Sequence, residues 1–200
     1  MTTYDFQDGK GPVPAHKHSN GGGWVAETAS VSETSYVGPE AMVYGDARVY
    51  GDARVYENAR VYGSAMVRGD ARVYGDAMVR GNATVYGNTN VRGNANVYGN
   101  AIVYGNARVY GDARVYGNAR VYGDASVKRG SYRSSPLQII RSDGYSFTLQ
   151  SDSSVVAGCR NFTMAEALKY WGDPEHHMHK ESYAIVKSLI SISKAIGEVK

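Results

Sequence analysis

The chain has 200 residues, enough for one or two domains, and its basic residues exceed its acidic residues by only three. This near balance excludes a strongly basic nucleic-acid coat or a membrane-surface protein, so neither nucleic acid nor membrane is expected as a partner. The single cysteine excludes an intrachain disulfide framework, and no apolar run is long enough to span a bilayer. Since the N-terminus also lacks an apolar signal-peptide core, we expect a cytoplasmic protein.

The N-terminal segment, residues 1–24, is predicted to be a cap loop. Its second half, GPVPAHKHSNGGGW, is rich in proline and glycine, which favours a shaped loop over a helix. We expect Trp24 to plug the first coil of the structure that follows.

Residues 25–128 form a repeat of six residues. Valine occupies every sixth position from Val25 to Val127, and the residue two places before each later valine is alanine in 15 of 17 units, with Ser35 and Thr89 as exceptions. Apolar and polar residues alternate around each valine, which is typical of a short strand with one buried face. Glycine followed by Asp or Asn then favours a turn. Each unit is therefore predicted to be one strand and one corner.

The tail, residues 131–200, is predicted to form a separate α+β unit. Residues 137–141 and 145–149 are predicted strands, and residues 142–144, Ser-Asp-Gly, are a hairpin signal between them. Residues 154–162 are predicted to form a third strand.

Two helices are predicted to follow. Thr163 and Glu166 form a capping-box pattern that starts the first helix, and Gly172 and Pro174 end it. The second helix is expected from about residue 180 to 196.

The repeat, as in Val49-Tyr50-Gly51-Asp52-Ala53-Arg54, resembles the hexapeptide-repeat superfamily, the left-handed parallel β-helix of many acyltransferases and γ-class carbonic anhydrases. The resemblance covers residues 25–128. It implies three hexads per coil, about 5.7 coils, and a triangular prism about 27 Å long. It also implies a trimeric assembly, so a homotrimer is the expected oligomer.

The flanks resemble a narrower group of bacterial and phage hexapeptide-repeat proteins. The resemblance rests on the PAHxHxNGGGW start, residues 14–24, and on the tail motifs DGYxF and AGCRxFT, residues 143–147 and 157–163. It implies a shared domain organisation and no mechanism. A phage-encoded member would act in the host cytoplasm.

Outward side chains 18 residues apart are expected to stack in columns on the prism. Three columns are mainly tyrosine with single arginines: Tyr44, Tyr62, Arg80, Tyr98 and Tyr116; Tyr50, Arg68, Tyr86, Tyr104 and Tyr122; Tyr56, Tyr74, Arg92 and Tyr110. Met66 and Ile102 are expected beside the Tyr44 column, which makes that face the most apolar and the expected trimer interface. Burial of Val and Ala stabilises a coil by less than the conformational entropy lost when the coil is ordered. This shortfall also favours association, because an interface would bury further surface.

The candidate catalytic histidines lie outside the repeat, because residues 25–128 contain none. His16 and His18 are two residues apart, so an extended loop would point both the same way, and Asn20 would complete a metal or anion site. The alternative is a polar loop held by hydrogen bonds. Either histidine would be the general base of a transferase.

Three further histidines, His176, His177 and His179, lie between the predicted helices and are weak metal candidates. A solvated loop is the alternative, and no metal is assigned.

Cys159 and Arg160 follow a glycine in the tail. Cys159 is expected to be a buried structural residue, since a catalytic thiol needs a nearby base. Arg160 is a candidate for holding a phosphate or carboxylate in a tail cleft. The predicted ligand-binding residues are therefore Arg160, Cys159 and Asn20.

Three functions follow from these features. The first is a non-catalytic scaffold that oligomerises, takes no cofactor, and presents the tail to a small anionic ligand or a protein partner. The second is an acyl- or acetyltransferase that uses acyl-CoA and a histidine from a flank. The third is a structural protein of a phage or a cell surface.

Overall fold

The computed structural model describes residues 2–150, 154–158, 160–175 and 179–198. The chain opens with two strands, β1 (Thr3–Tyr4) and β2 (Val13–Lys17), and continues as a β-solenoid of about six coils. The solenoid strands in chain order are β3 (Trp24–Ala26), β4 (Ser30–Val31), β5 (Tyr36–Val37), β6 (Met42–Val43), β7 (Arg48–Tyr50), β8 (Arg54–Val55), β9 (Arg60–Val61), β10 (Met66–Arg68), β11 (Arg72–Val73), β12 (Met78–Val79), β13 (Thr84–Tyr86), β14 (Asn90–Val91), β15 (Asn96–Val97), β16 (Ile102–Val103), β17 (Arg108–Val109), β18 (Arg114–Val115), β19 (Arg120–Val121), β20 (Ser126–Val127) and β21 (Ser131–Tyr132).

Three parallel sheets form the faces of the solenoid. Face one contains β3, β6, β9, β12, β15, β18 and β21; face two contains β4, β7, β10, β13, β16 and β19; face three contains β5, β8, β11, β14, β17 and β20. Paired residues are 18 apart, as Val67 is from Val49 and Val85. The predicted parallel β-helix with three hexads per coil is confirmed.

Small side chains fill the solenoid. The repeat valines from Val37 to Val127 are fully buried, and so are Ser35 and Thr89, which replace alanine. Because successive strand residues point to opposite faces, the residues flanking each valine point outwards.

The corners turn at glycine. At Gly75 the φ angle is 74°, and an added Cβ would lie 2.7 Å from the Gly93 nitrogen, so a side chain has no room there. Glu57 occupies the equivalent corner position one coil earlier with a φ of 56°. This left-handed conformation costs a non-glycine residue roughly 1–2 kcal/mol. The Glu57 carboxylate accepts a hydrogen bond from the Gly75 N–H at 2.8 Å.

The tyrosine columns form as predicted. Ring centroids of Tyr44 and Tyr62, and of Tyr56 and Tyr74, are 4.8 Å apart and nearly parallel. The column arginines cover rings one coil later: Arg68 over Tyr86, Arg80 over Tyr98, and Arg92 over Tyr110.

The predicted place of Met66 and Ile102 is wrong. Both lie on face two, where the Tyr50 hydroxyl donates to the Met66 sulfur at 3.0 Å. The outward residues on either side of one valine share a strand, whereas Tyr44 and Arg48 are separated by a corner. The apolar column therefore belongs beside Tyr50, not beside Tyr44.

The sequence predicted a loop for the N-terminal segment, but the structure shows two strands there. β2 pairs antiparallel with β3, and β1 pairs with β2, so face one gains two strands that the high Pro and Gly content concealed. Trp24 does not plug the coil, because its neighbour Val25 takes the inward position. The Trp24 ring stacks outside on Tyr4, at 4.3 Å between centroids.

The tail forms a four-stranded antiparallel sheet and two helices. The elements are β22 (Gln138–Ile140), β23 (Ser146–Leu149), β24 (Val155–Ala157), β25 (Arg160–Phe162), α1 (Met164–Gly172) and α2 (His179–Glu198). The hairpin, the capping box at Thr163 and both helices are confirmed. Residues 154–162 form two strands instead of one, because Gly158 turns the chain with a φ of 58°.

Face one of the solenoid extends to Tyr132, past residue 131, where the sequence predicted that the tail begins. Ser131 pairs with Arg114 and Tyr132 with Val115, so β21 is the last strand of face one. Phe147, Trp171, Val186 and Leu189 are buried in the separate core of the tail.

Gln150 joins the tail to the last coil. Its side-chain oxygen accepts from the Lys128 N–H at 2.9 Å, and its side-chain nitrogen donates to the Ser126 carbonyl at 2.9 Å. The Thr148 hydroxyl accepts from the Ser126 N–H at 3.3 Å. A side-chain amide thus takes the place of the peptide group that another strand would supply, which satisfies the open edge of β20.

Candidate functional site

Arg160 lies at the start of β25, on the surface of the tail. Its guanidinium donates to the Tyr170 hydroxyl at 2.9 Å and lies 5.4 Å from the centre of that ring. Arg160 is exposed, so it is available to a ligand at the edge of the tail.

A cleft of about 490 Å³ lies beside this pair. Its lining residues are Asn161, Phe162, Glu166, Lys169, Tyr170 and Asp173. The sequence analysis named none of these six as a site residue, including the last four. Their spacing along and just past α1 places them on one helical face, which was the available signal.

The charges in the cleft are mixed. The Glu166 carboxylate accepts from the Thr163 N–H at 2.7 Å and from its hydroxyl, and these hydrogen bonds hold the pKa of Glu166 below its usual range. Asp173 adds a second carboxylate, and Lys169 adds an ammonium group. A site with both signs of charge suits a peptide segment better than a free anion.

The two N-terminal histidines do not form one site. His16 is exposed, and its Nδ1 lies 2.8 Å from a Glu27 carboxylate oxygen. His18 is only 6% exposed, and its Nδ1 interacts with the backbone of Asn20. Asn20 in turn donates to the Ser35 carbonyl. These contacts match the polar loop held by hydrogen bonds.

Asn20 and Arg160 lie at opposite ends of the solenoid. Asn20 contacts Val37 in the first strand of face three, and the tail contacts the last strand of that face. Five strand spacings of roughly 4.8 Å separate these two strands, about 24 Å in all. The two residues therefore cannot hold one small ligand within a single chain.

The remaining candidates are only partly visible. Cys159, His176 and His177 lie outside the described residues, and His179 is described only as the first backbone position of α2. Across the described ranges, no cluster of three His, Cys, Asp or Glu side chains is arranged to hold a metal ion. No helix in that part of the chain is long and apolar enough to cross a membrane.

Comparison with known protein families finds a similarity within the repeat. Six segments match the family model of the YdcK β-solenoid repeat: residues 41–57, 53–69, 71–87, 95–111, 103–114 and 113–129. No curated protein and no solved structure matches the chain. The matched segments and the coils agree that the chain is a β-solenoid repeat protein.

Proposed function

We propose that this β-solenoid is a non-catalytic scaffold that presents the α1 cleft of its tail to a protein partner. The observation that carries the proposal is the Gln150 junction, which fixes the tail to the end of a stiff rod. A cleft held in a constant orientation loses less conformational entropy on binding.

The cleft favours a peptide over the small anionic ligand. A free phosphate or carboxylate carries only negative charge, which Glu166 and Asp173 repel. A peptide can place an acidic side chain against Lys169 and exposed Arg160, and N–H groups or a basic side chain against the two carboxylates. Phe162 and Tyr170 add aromatic surface, which is common at protein interfaces.

Peptide selection tests this proposal. The immobilised protein is used to enrich peptides from a random library, and the Lys169→Glu/Tyr170→Ala variant is tested in parallel. Lys187→Glu is the matched control, because Lys187 is exposed on α2, outside the cleft lining. We expect peptides that bind the wild type and the control but not the cleft variant. Peptides that bind all three proteins equally would contradict the proposal.

We also propose that the scaffold is a homotrimer that associates through face two. The half-buried Met66 and Ile102 lie on this face, and Tyr50 and Tyr122 are 39% and 47% exposed there. Sedimentation velocity should show a smaller assembly for Met66→Glu/Ile102→Glu. Met78→Glu, at the same hexad position on face one, is the control and should leave the assembly unchanged.

A transferase of the hexapeptide-repeat superfamily is the alternative function, with acyl-CoA as donor. It is favoured by the pairing of His16 with Glu27, since a carboxylate at Nδ1 orients an imidazole for proton transfer. The test is release of CoA from acetyl-CoA and longer donors with sugar and amine acceptors. Turnover that falls about 100-fold or more in His16→Ala would replace the scaffold proposal.

We place the protein in the cytoplasm of a bacterium, or of the host if it is phage-encoded. The single cysteine supports a reducing compartment.

A structural protein that forms fibres by end-to-end growth is a weaker alternative, because Gln150 and Thr148 already form hydrogen bonds with the edge of β20. Electron microscopy of the concentrated protein should show discrete particles, and long fibres would support the structural role.

A further inference from the structure

A second cleft, of about 570 Å³, lies on face three near the start of the solenoid. Its lining residues are Tyr36, Pro39, Glu40, Arg54, Tyr56 and Glu57. The sequence departs from the repeat here, since Gly38-Pro39-Glu40 stands where other coils have Tyr-Gly-Asp, and Glu57 stands at a corner glycine position. This cleft is far from α1, because it lies at the opposite end of face three from the tail.

One side of the Tyr56 ring is open to this cleft. Tyr74 stacks on the other side at 4.8 Å between centroids. The column position one coil before Tyr56 is Gly38, and a Cβ there would lie 2.9 Å from the Tyr56 Cβ, so no side chain fits. Among the residues that the structure describes, no second ring and no cation packs on Tyr56.

The chain itself shows what binds such a ring. Arginine precedes the tyrosine by one coil in all three columns, and its guanidinium lies 4.3–5.0 Å from the ring centre of Tyr86, Tyr98 or Tyr110. Gly38 stands in the place that arginine takes in those pairs. The Tyr56 ring therefore offers the same stacking surface to a guanidinium from outside the chain.

Two carboxylates complete the chemistry of the cleft. The Gly75 N–H binds Oε2 of Glu57 and so holds this exposed side chain in place. Burial, the stacked Tyr74 and then Glu57 raise the pKa of Tyr56 above its usual value, while Arg72 and Arg54 act in the opposite direction. Glu40 adds a second carboxylate, and the Arg54 guanidinium lies over Tyr36, 5.1 Å from its centre.

The backbone at Glu57 supports a ligand role for this side chain. Glu57 has a φ of 56°, where the equivalent residue one coil later is glycine. Residues with strained backbone angles of this kind are concentrated at functional sites, where the strain contributes to function.

We propose that Tyr56, Glu57 and Glu40 bind the guanidinium group of an arginine side chain from a partner protein. A guanidinium can stack flat on a tyrosine ring while its N–H groups bind carboxylates at the edge, which an ammonium cannot do. A free small molecule needs a pocket that buries most of its surface. Pro39, Glu40 and Glu57 are exposed, so the open cleft suits a side chain that the partner holds in place.

Calorimetric titration with capped tripeptides tests the proposal. We expect Ac-Gly-Arg-Gly-NH₂ to bind at least about fivefold more tightly than Ac-Gly-Lys-Gly-NH₂, because only the guanidinium is planar. Glu57→Gly removes the carboxylate and restores the repeat glycine, so the variant should fold normally and bind the arginine peptide at least about fivefold more weakly. Tyr116→Leu is the matched control, since Tyr116 is also a stacked column tyrosine but lies on face one and outside the cleft, and binding of the arginine peptide should be unchanged.

Three results would overturn the proposal. Equal affinity for the lysine peptide would exclude guanidinium stacking. Unchanged binding in both Glu57→Gly and Glu40→Gln would exclude the carboxylates. Free L-arginine that binds at least about tenfold more tightly than the peptide would assign the site to a metabolite instead of a protein partner.

Discussion

The solenoid interior holds small side chains, whereas the tail is built around large ones. Valine and alanine fill the coils until Tyr132, except where Ser35 and Thr89 replace alanine, while Phe147 and Trp171 pack against each other in the tail, 5.0 Å between ring centres. The large aromatic residues of the solenoid lie outside, in the tyrosine columns. A narrow coil cannot enclose a ring at each level, so its aromatic packing occurs on the surface.

The two regions also differ in how far their contacts reach along the chain. Coils pair with neighbours 18 residues away, as Val67 does with Val85, so stability is a sum of similar local steps. In the tail, Arg141 donates to Ser182, 41 residues later. A change in one coil is therefore expected to weaken neighbouring coils, and a change in the tail core to unfold the whole tail.

The largest effect is expected in the solenoid core. Val85→Asp places a carboxylate where the side chain is fully buried among apolar neighbours, which should lower the free energy of unfolding by about 5 kcal/mol or prevent folding. Asn90→Asp is the control, because position 90 points outwards on face three, between Arg72 and Arg108, and should change stability little. Thermal unfolding followed by circular dichroism measures both, and equal melting temperatures would contradict the hexad register.

The tail core should show a large but separate loss. Trp171 is 2% exposed and contacts Phe147 and Phe162, so Trp171→Ala should cost about 4 kcal/mol. Hydrogen exchange measured by mass spectrometry should show lost protection in β22–β25, α1 and α2 but retained protection in the central coils. Loss of protection throughout the solenoid would mean that the two regions unfold as one unit.

The junction links the two regions. Gln150→Leu leaves the buried Ser126 carbonyl and the partly buried Lys128 N–H without partners, at a cost of about 2–3 kcal/mol. We expect faster hydrogen exchange in β20 and in the tail together. Gln138→Leu, in β22 and outside these hydrogen bonds, serves as a control. A junction mutant with normal exchange in β20 would show that other contacts hold the tail.

Alkaline pH should weaken the first coils. Burial, then the neighbouring Tyr62, raises the pKa of Tyr44 to about 12 from an unfolded value of 10. Since the folded state keeps its proton longer, this contribution is complete below pH 10 and is lost as pH rises to 12 and above. The loss is at most about 3 kcal/mol. Stability should fall less over this range in Tyr44→Phe, as measured by urea unfolding, and an equal fall would contradict the assignment to Tyr44.

A small gain is expected at Thr89. Its hydroxyl is buried and has no hydrogen-bond partner among the described residues, whereas the Ser35 hydroxyl donates to the Gly51 carbonyl at 3.0 Å. Thr89→Val keeps the volume and removes the unpaired hydroxyl, so it should add about 1 kcal/mol. Ser35→Ala should lose a similar amount. If both variants change stability in the same direction, hydrogen bonding does not explain the difference.

The sequence alone determined the architecture of residues 25–128. An unbroken six-residue spacing of valine fixes which side chains point inwards and which lie in the same column, so Tyr44 over Tyr62 and Arg80 over Tyr98 could be predicted. The capping box at Thr163 could be predicted as well, because its donors and acceptors lie within four residues.

Only the tertiary structure decided where the ends and the clefts lie. No periodic pattern relates Gln150 to Lys128 or Tyr170 to Arg160, which they contact. Glu57 adopts a backbone angle that its residue type does not favour. The same holds for β2, whose proline-rich sequence becomes a strand because the exposed edge of β3 accepts it. A repeat propagates its own geometry from one coil to the next, whereas a cap or a cleft depends on which distant surfaces meet, and that is settled only when the chain packs.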